Sequence, residues 1–509
     1  MSRAAFVAGG AARPRWLRRL DVVAVALAAL AARAIPVLLG GGLFGLQGYD
    51  DGVYFGSALA FVHGAVPYRD FLFLHPPLVV VALSPFAFAA SIIGEPNAFA
   101  LARVAFLGIG ALNAVLVMVV AGRTNRLAGV LSGLVYAVWN AAANGERTTD
   151  LHQLENAFLL VALFVLSGER GTSRRAAAIA GVAMGLAASD HAWQAASAAV
   201  LGLWIVWQHR GTVRAAIAAG AAFVGGAVLA GAVVCLPFLL AAGRTMVEQV
   251  VADQVARPNM LVGPIARLAQ LFGLFGPGSF PSLVRAGLVL GLLAILMTIL
   301  IGAAWRLPRT RLWVGLALLQ LGIILVTPSF YSDYPSFPSV AIALVGGTAL
   351  AALASTSERR GVRRAYLAAP IAVAFATFSI TRTEGRRLHA PELREAVAAS
   401  TCVAANNTSL LILTSAFGRN LDAGCAIVVD PTGIRYQTDR GQLQPGRPDA
   451  SMRAAAGFQA AMREYLGSSD AVLIVGSLGG QLTKASIEDI RRRLTDLSVI
   501  DGITVLRAP

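Results

Sequence analysis

The chain has 509 residues, of which 57% are hydrophobic and 14% charged, and its formal charge is +15; the mean hydropathy is +0.68. An ordinary soluble chain carries roughly 25% charged residues, so a soluble globular protein is excluded and most of this chain is solvated by lipid. The basic residues sit mainly in short loops between apolar runs, which makes the positive charge a topology signal and not the footprint of a nucleic acid.

Apolar runs of about 20 residues, enough to cross roughly 30 Å of hydrocarbon as helix, recur from Leu20 to about Ile380. They are too long and too unalternating for barrel strands, so helices must satisfy the backbone in lipid. A basic leader, residues 1–19, contains Arg13, Arg15, Arg18 and Arg19. The run after it is long for the apolar segment of a signal peptide, and many spans follow, so it reads as the first transmembrane helix. Further basic clusters fall at Arg123 and Arg126, 170–175, 210–214, 306–311 and 359–364. Each is separated from the next by enough apolar sequence for two crossings. The spacing predicts an all-α polytopic membrane domain over 20–382 with about eleven transmembrane helices, near 20–42, 98–122, 125–142, 153–168, 175–190, 192–208, 214–242, 283–305, 311–328, 336–354 and 365–381. The amino terminus is then cytoplasmic and the carboxyl terminus outside the plasma membrane.

One apolar run, 76–94, is left over, and a crossing there would put the later Arg clusters on the wrong side. Pro76 and Pro77 suit a helix start and Pro85 interrupts a straight span, so this helix is expected to lie on, or partly re-enter, the outer face. On this topology Asp50, Asp51, Asp70, Glu146, Asp150, Glu155, Asp190, Glu248, Asp253 and Asp333 collect outside, in loops that include 43–97 and 243–282. Membrane insertion does not require that acidic bias. It points to chemistry on the outer face.

From about Thr383 the composition turns polar. Residues 410–414, 426–429, 471–476 and 503–506 read as short buried strands, and 452–466 and 486–494 as helices, giving a small extracytoplasmic α/β domain over 383–509. Gly476, Gly479 and Gly480 follow a strand and precede a helix, but the full spacing of a nucleotide-binding fingerprint is absent, and a plain strand-to-helix turn is the better reading. Cys235 falls in a predicted span as a small apolar residue. Cys402 and Cys425 both fall in the outward domain, where a disulfide between them suits an oxidising compartment and two free buried thiols remain the alternative.

The loop after the first helix carries the chemistry-bearing residues. It reads Gly48-Tyr49-Asp50-Asp51-Gly52-Val53-Tyr54, then Tyr68-Arg69-Asp70-Phe71, then His75-Pro76-Pro77. A carboxylate at the membrane surface, partly desolvated and near cations, is placed to take a proton from an acceptor hydroxyl, and such general-base assistance is worth roughly 10² to 10⁴ in rate. A merely solvated acidic loop is the competing reading.

These residues resemble the corresponding loop of the GT-C glycosyltransferases, membrane enzymes that include protein O-mannosyltransferases and lipid A aminoarabinose transferases. The resemblance implies an acid-acid-x-x-Tyr pattern after the first helix with its first Asp catalytic, which Asp50, Asp51 and Tyr54 match. It continues with a Pro-containing motif, a surface helix and an Arg-led second span, matched in order by His75-Pro76-Pro77, the 76–94 helix and Arg103, and then by Arg123. Gly181 and Gly185 lead to Ser189-Asp190-His191 where the relatives have a Gly-rich helix ending in Thr-Lys, and this chain lacks the lysine. Asp253-Gln254-Val255-Ala256-Arg257 is similar to an acid, polar residue and Arg segment of the aminoarabinose transferases, with Arg257 as a bidentate phosphate ligand; snorkelling to headgroups is its alternative. Tyr334 falls where relatives carry a Tyr facing the cavity, although aromatic belt residues are common at that depth.

The resemblance covers roughly residues 20–350. It implies transfer of a sugar from a polyprenyl-phosphate donor to an acceptor hydroxyl on a cell-envelope glycan, lipid or protein, with inversion. The donor phosphate would be held by cations among His75, Arg69 and Arg257, and Asp50 would be the base. Some relatives bind a divalent metal between loop acids and others do not; Asp51, Asp70 and Asp253 are the candidate ligands here, without a complete set. Two other classes compete. A transporter or flippase of lipid-linked substrates is expected to show internal repeats and ionisable groups at the midplane, which this sequence does not show, and a catalytically silent assembly partner is conceivable from the missing lysine.

Overall fold

The computed structural model describes residues 15–168, 171–272, 283–357 and 385–509, with a few scattered positions between 360 and 368. Among the described residues, sixteen α-helices carry the chain through the apolar region. They are α1 (Arg15–Leu39), α2 (Tyr49–Val62), α3 (Leu78–Ile93), α4 (Glu95–Gly122), α5 (Arg126–Val138), α6 (Asn140–Asn144), α7 (His152–Leu166), α8 (Arg174–Asp190), α9 (Gln194–Gln208), α10 (Val213–Ala242), α11 (Arg244–Val247), α12 (Asp253–Val255), α13 (Pro264–Leu271), α14 (Leu283–Trp305), α15 (Arg311–Val326) and α16 (Ser339–Thr356). The first ten expected spans all fall on these helices, and the eleventh, 365–381, lies outside the described residues. Among the described residues, five segments are long and apolar enough to cross a membrane by length and composition: Arg19–Leu39, Glu95–Gly122, Val213–Ala242, Pro308–Val326 and Ser339–Thr356. The chain is a polytopic, mainly helical membrane protein.

Several of the remaining helices are shorter than the sequence periodicity suggests, because polar residues break the apolar runs. The run expected to be one helix over 125–142 is two, α5 and α6, divided at Trp139, whose backbone is extended (φ −72°, ψ 124°). The break frees the carbonyl of Ala137, and Arg33 from α1 donates to it at 3.0 Å, so the interrupted backbone is satisfied inside the protein as lipid requires. Arg33 also bonds Glu146 through Nε and Nη2. Tyr136, Asn113 and Asn156 complete the shell of Glu146 at 2.7, 2.7 and 3.4 Å. The pair is wholly buried and ties α1, α4 and α5 together.

On α8, Gly181 and Gly185 form the face against α10: a Cβ at either would meet the Phe223 or Ala227 carbonyl at 2.0 or 2.3 Å. This is close packing of small residues between helices, a structural use for a motif singled out above. Helix α3 continues through Pro85. Its 16 residues reach about 24 Å, short of the roughly 30 Å of a hydrocarbon core. Gly94, at φ +84°, turns the chain straight into α4.

The carboxyl-terminal domain is α/β, with corrections to its elements. Its sheet has the order β1-β2-β4-β3, with β1 at Val403–Ala405, β2 at Ala471–Val475, β3 at Asp496–Ile500 and β4 at Ile503–Arg507. β1 runs parallel to β2, while β2 and β3 are each antiparallel to β4. The 410–414 run, expected as a strand, belongs to the helix Thr408–Leu413, and 426–429 is not a strand. Short apolar runs do not distinguish a buried helix from a strand by pattern alone. The expected 452–466 helix is split at Ala455 into Pro448–Ala454 and Ala456–Gly467. β3 was not expected, although Asp501 and Gly502, both at positive φ, form the two-residue turn that an Asp-Gly pair favours. The carbonyls of Gly479 and Gly480 face the Arg453 guanidinium, which fits a plain turn, since a phosphate loop would present amides. Cys402 and Cys425 are joined in a disulfide with a Cα–Cα distance of 5.8 Å.

The domain is packed on the membrane part. Leu46 and Arg386 exchange backbone hydrogen bonds at 2.9 and 2.7 Å. A Cβ on Gly52 would meet Ser409 at 2.4 Å and one on Gly56 would meet Thr408 at 2.7 Å, so α2 lies flush against the Thr408–Leu413 helix. Val53, Tyr54 and Phe55 share a core with Leu410, Phe417 and Val429. Glu95 at the head of α4 accepts from the Gly418 amide at 2.9 Å.

Candidate active site

A cavity of about 660 Å³ lies between the bundle and the carboxyl-terminal domain, within the range of ordinary ligand pockets. Its wall includes Asp50 and Tyr54 from α2, His75, Asp150 and His152, His191, Arg257, Tyr331, Asp333 and Tyr334, and, from the domain, Asp430, Arg435 and Tyr436.

Asp50 and Asp51 open α2, where carboxylates complement the helix amino terminus. Consecutive helical residues point about 100° apart, and the two acids have opposite fates. Asp51 is buried against α4: Arg103 reaches it with Nε at 2.9 Å and also with Nη2. The Thr149 amide and hydroxyl donate to its other oxygen at 3.0 and 2.5 Å. Arg103 spends its remaining nitrogen on the carbonyls of Leu43 and Gly45. The Asp51–Arg103 pair, both members of which match the resemblance's motifs, is thus an internal strut off the cavity wall. Asp50 faces the cavity and forms no hydrogen bond among the described residues. Burial, followed by the charges of Asp150, Asp333 and Asp430, raises its pKa well above the ordinary carboxylate value, as expected of a group prepared to act as a base.

Other predicted residues also separate. Arg69 and Asp70 pair with each other at 2.7 Å on the surface and line a second cavity of about 440 Å³ with the carboxyl-terminal domain. Asp253 is bound by Arg440 from that domain. Asp190 is wholly buried and off the wall. Tyr54, His75, His191, Arg257 and Tyr334 line the cavity with Asp50. His75, expected as a phosphate-binding cation, is held neutral: burial, then the charges of Arg257, His191 and His152, push its pKa well below the usual value. With Arg69 paired elsewhere, Arg257 is the cation of the expected trio that stands on the wall. Its Nη1 donates to the Tyr334 hydroxyl at 3.2 Å, its guanidinium lies 4.9 Å from the Tyr436 ring centre, and its buried Nε has no partner.

The site list drawn from sequence missed a second group. At the head of α7, His152 and Glu155 are one turn apart, with Nδ1 to Oε1 at 2.5 Å. Glu155 also meets His191 Nδ1 at 2.9 Å and accepts from Gln194 at 3.0 Å. His152 Nε2 is 3.4 Å from Asp333. Asp150, His152 and Asp333 offer ligand atoms within 4.8 Å of one another, as do His152, Glu155 and His191. The candidate metal acids named from sequence, Asp51, Asp70 and Asp253, are each tied to an arginine instead. Imidazole and carboxylate suit a transition metal or zinc, and Glu155 is placed to orient His152 from behind, as carboxylates orient metal-binding histidines. The i, i+3 spacing of His152 and Glu155 was the available sequence signal. Burial pushes the Asp150 pKa up to about 7, against the lowering effect of the His152 charge.

A helical membrane bundle with an acidic loop after its first helix, and a cavity closed by a soluble domain, has the GT-C glycosyltransferase fold. Solved structures of that fold match along most of the chain. ArnT from Cupriavidus metallidurans in the apo state is 14% identical, with 96% of this chain and 98% of that one covered at a TM-score of 0.55. The same protein bound to undecaprenyl phosphate gives 15% identity, 97% and 98% coverage and a TM-score of 0.53. The oligosaccharyltransferase AglB from Archaeoglobus fulgidus, in complex with an inhibitory peptide and a dolichol-phosphate, is 12% identical, covering 90% of this chain and 69% of that one at a TM-score of 0.55. No protein-family model matches the sequence, and no curated protein matches it.

Proposed function

We propose that this protein transfers a sugar from a polyprenyl-phosphate donor to an acceptor hydroxyl, at a cavity on the extracytoplasmic face of the plasma membrane. The observation that carries the reading is the pairing, on one cavity wall, of a half-buried carboxylate without a hydrogen-bond partner, Asp50, with a guanidinium, Arg257, that among the described residues has no carboxylate partner. The bound undecaprenyl phosphate and dolichol-phosphate of the two similar structures agree with a lipid phosphate as the ligand. Asp50 takes the proton of the acceptor hydroxyl as that oxygen forms a bond to the anomeric carbon; the bond from that carbon to the phosphate oxygen breaks, and its electron pair leaves with the lipid phosphate. The leaving group is already stable, so no general acid is needed, and one displacement inverts the anomeric centre. Arg257 would stabilise the charge growing on the phosphate, the type of electrostatic assistance that contributes most in such sites.

Asp150, His152 and Asp333 would hold a divalent metal, oriented by Glu155, and such an ion would add positive charge to an acidic corner of the cavity. The acceptor belongs to the cell envelope as a glycan, a lipid or a protein. The test is turnover in right-side-out and inside-out proteoliposomes supplied with a polyprenyl-phosphate sugar. Sugar transfer with release of polyprenyl phosphate, from donor on the face that carries the carboxyl-terminal domain, is expected; movement of intact donor across the bilayer without cleavage would replace this reading with the transporter.

A further inference from the structure

Arg435 lies on the short helix Ile434–Thr438 of the carboxyl-terminal domain, far in sequence from Asp50 and Arg257 on the same wall. It is 4% exposed, and its Nε and Nη1 have no hydrogen-bond partner. Its Nη2 donates to the Tyr436 hydroxyl at 2.7 Å and approaches that of Tyr331 at 3.4 Å. Arg257 stands against the same Tyr436 ring. Two guanidiniums therefore flank one phenol on a buried wall, and among the described residues neither forms an ion pair. The nearby carboxylate of Asp430 is engaged by the Tyr49 hydroxyl at 2.8 Å and the Gly433 amide at 2.7 Å. Unpaired buried charges of one sign are unfavourable, and an anion that accepts from both arginines removes the conflict.

We propose that Arg435 is a second ligand of the lipid phosphate, supplied by the carboxyl-terminal domain, and that the pair with Arg257 favours a phosphate bearing two negative charges over one bearing a single charge. The inference rests on the donor reading above and adds to it. The donor is a phosphodiester with one charge, whereas the released polyprenyl phosphate is a monoester with two at neutral pH, since the second ionisation of such groups lies near pH 6. A second arginine thus strengthens its hold as the bond to the sugar breaks, and binding that grows toward the transition state raises kcat. It also makes the active site incomplete without the domain.

The experiment measures binding of a polyprenyl monophosphate and of its methyl diester to the full-length protein in nanodiscs at pH 7.5, for the wild type and for Arg435→Gln, Arg435→Lys and Arg257→Gln. One charge-assisted hydrogen bond more or less corresponds to about tenfold in affinity. The wild type should prefer the monoester by about that factor, Arg435→Gln should bind the two lipids within about twofold, and Arg435→Lys should keep part of the preference. An unchanged preference in Arg435→Gln overturns the proposal. If Arg257→Gln loses both lipids while Arg435→Gln matches the wild type, the donor reading stands and only this inference falls; if neither variant weakens either lipid, the donor reading falls as well. Should Arg435→Gln fail to fold, the wild-type ratio decides, and a ratio near one overturns the proposal.

Discussion

Two buried polar clusters in this molecule differ in how completely they are satisfied. In the bundle, all three guanidinium nitrogens of Arg33 and both oxygens of Glu146 have partners. In the cavity, Asp50 has none among the described residues, and Arg257 and Arg435 keep unpartnered nitrogens. Both clusters cost desolvation, but the first is repaid inside the protein, whereas the second is left open to a ligand. The closed cluster holds helices, and the open one is the seat of the proposed chemistry. The neighbours Asp51 and Asp50 repeat the contrast one residue apart.

The comparison breaks if the closed cluster proves functional. Glu146→Ala leaves Arg33 buried without its partner, and loss of one member of a buried pair costs about 3–5 kcal/mol. The expected outcome is a large fall in thermal stability in nanodiscs, with the KM for donor unchanged in the fraction that remains folded; a KM effect without a stability loss would move Glu146 into the site. A smaller effect sharpens the open cluster. As the proposed base Asp50 would act deprotonated, and its pKa is raised by burial first and then by Asp150, Asp333 and Asp430. The transfer rate should therefore fall as pH drops through that raised value, well above the ordinary carboxylate range near 4. Asp430→Asn removes one of the raising charges, so the acid limb of the kcat profile should move to lower pH; a shift to higher pH, or no shift, would show that Asp50 does not set it.

Much of the frame was legible in the sequence, because crossing lipid forces long apolar helices whose positions show in composition. The Asp50-Asp51-x-x-Tyr54 spacing pointed to two residues of the cavity wall, Asp50 and Tyr54. What the spacing did not show is that Asp51 is turned away from the cavity, because that depends on Arg103 arriving from α4. Arg435 and Tyr436 were invisible for a related reason: they reach the wall through the docking of the carboxyl-terminal domain, which includes the close approach of Gly52 and Gly56 to Ser409 and Thr408, a contact between distant segments of ordinary composition. The 410–414 run was misassigned because four consecutive buried apolar residues, Leu410 to Leu413, fit helix or strand equally. The metal-competent corner, by contrast, carried a local signal in Asp150, His152 and Glu155.

The most direct test of the account compares Asp50→Asn with Asp51→Asn in one purified system, measuring transfer from a polyprenyl-phosphate sugar together with thermal stability. The account predicts that Asp50→Asn folds as the wild type does and loses roughly 10²-fold or more in kcat, whereas Asp51→Asn loses stability. Wild-type turnover by Asp50→Asn would contradict it.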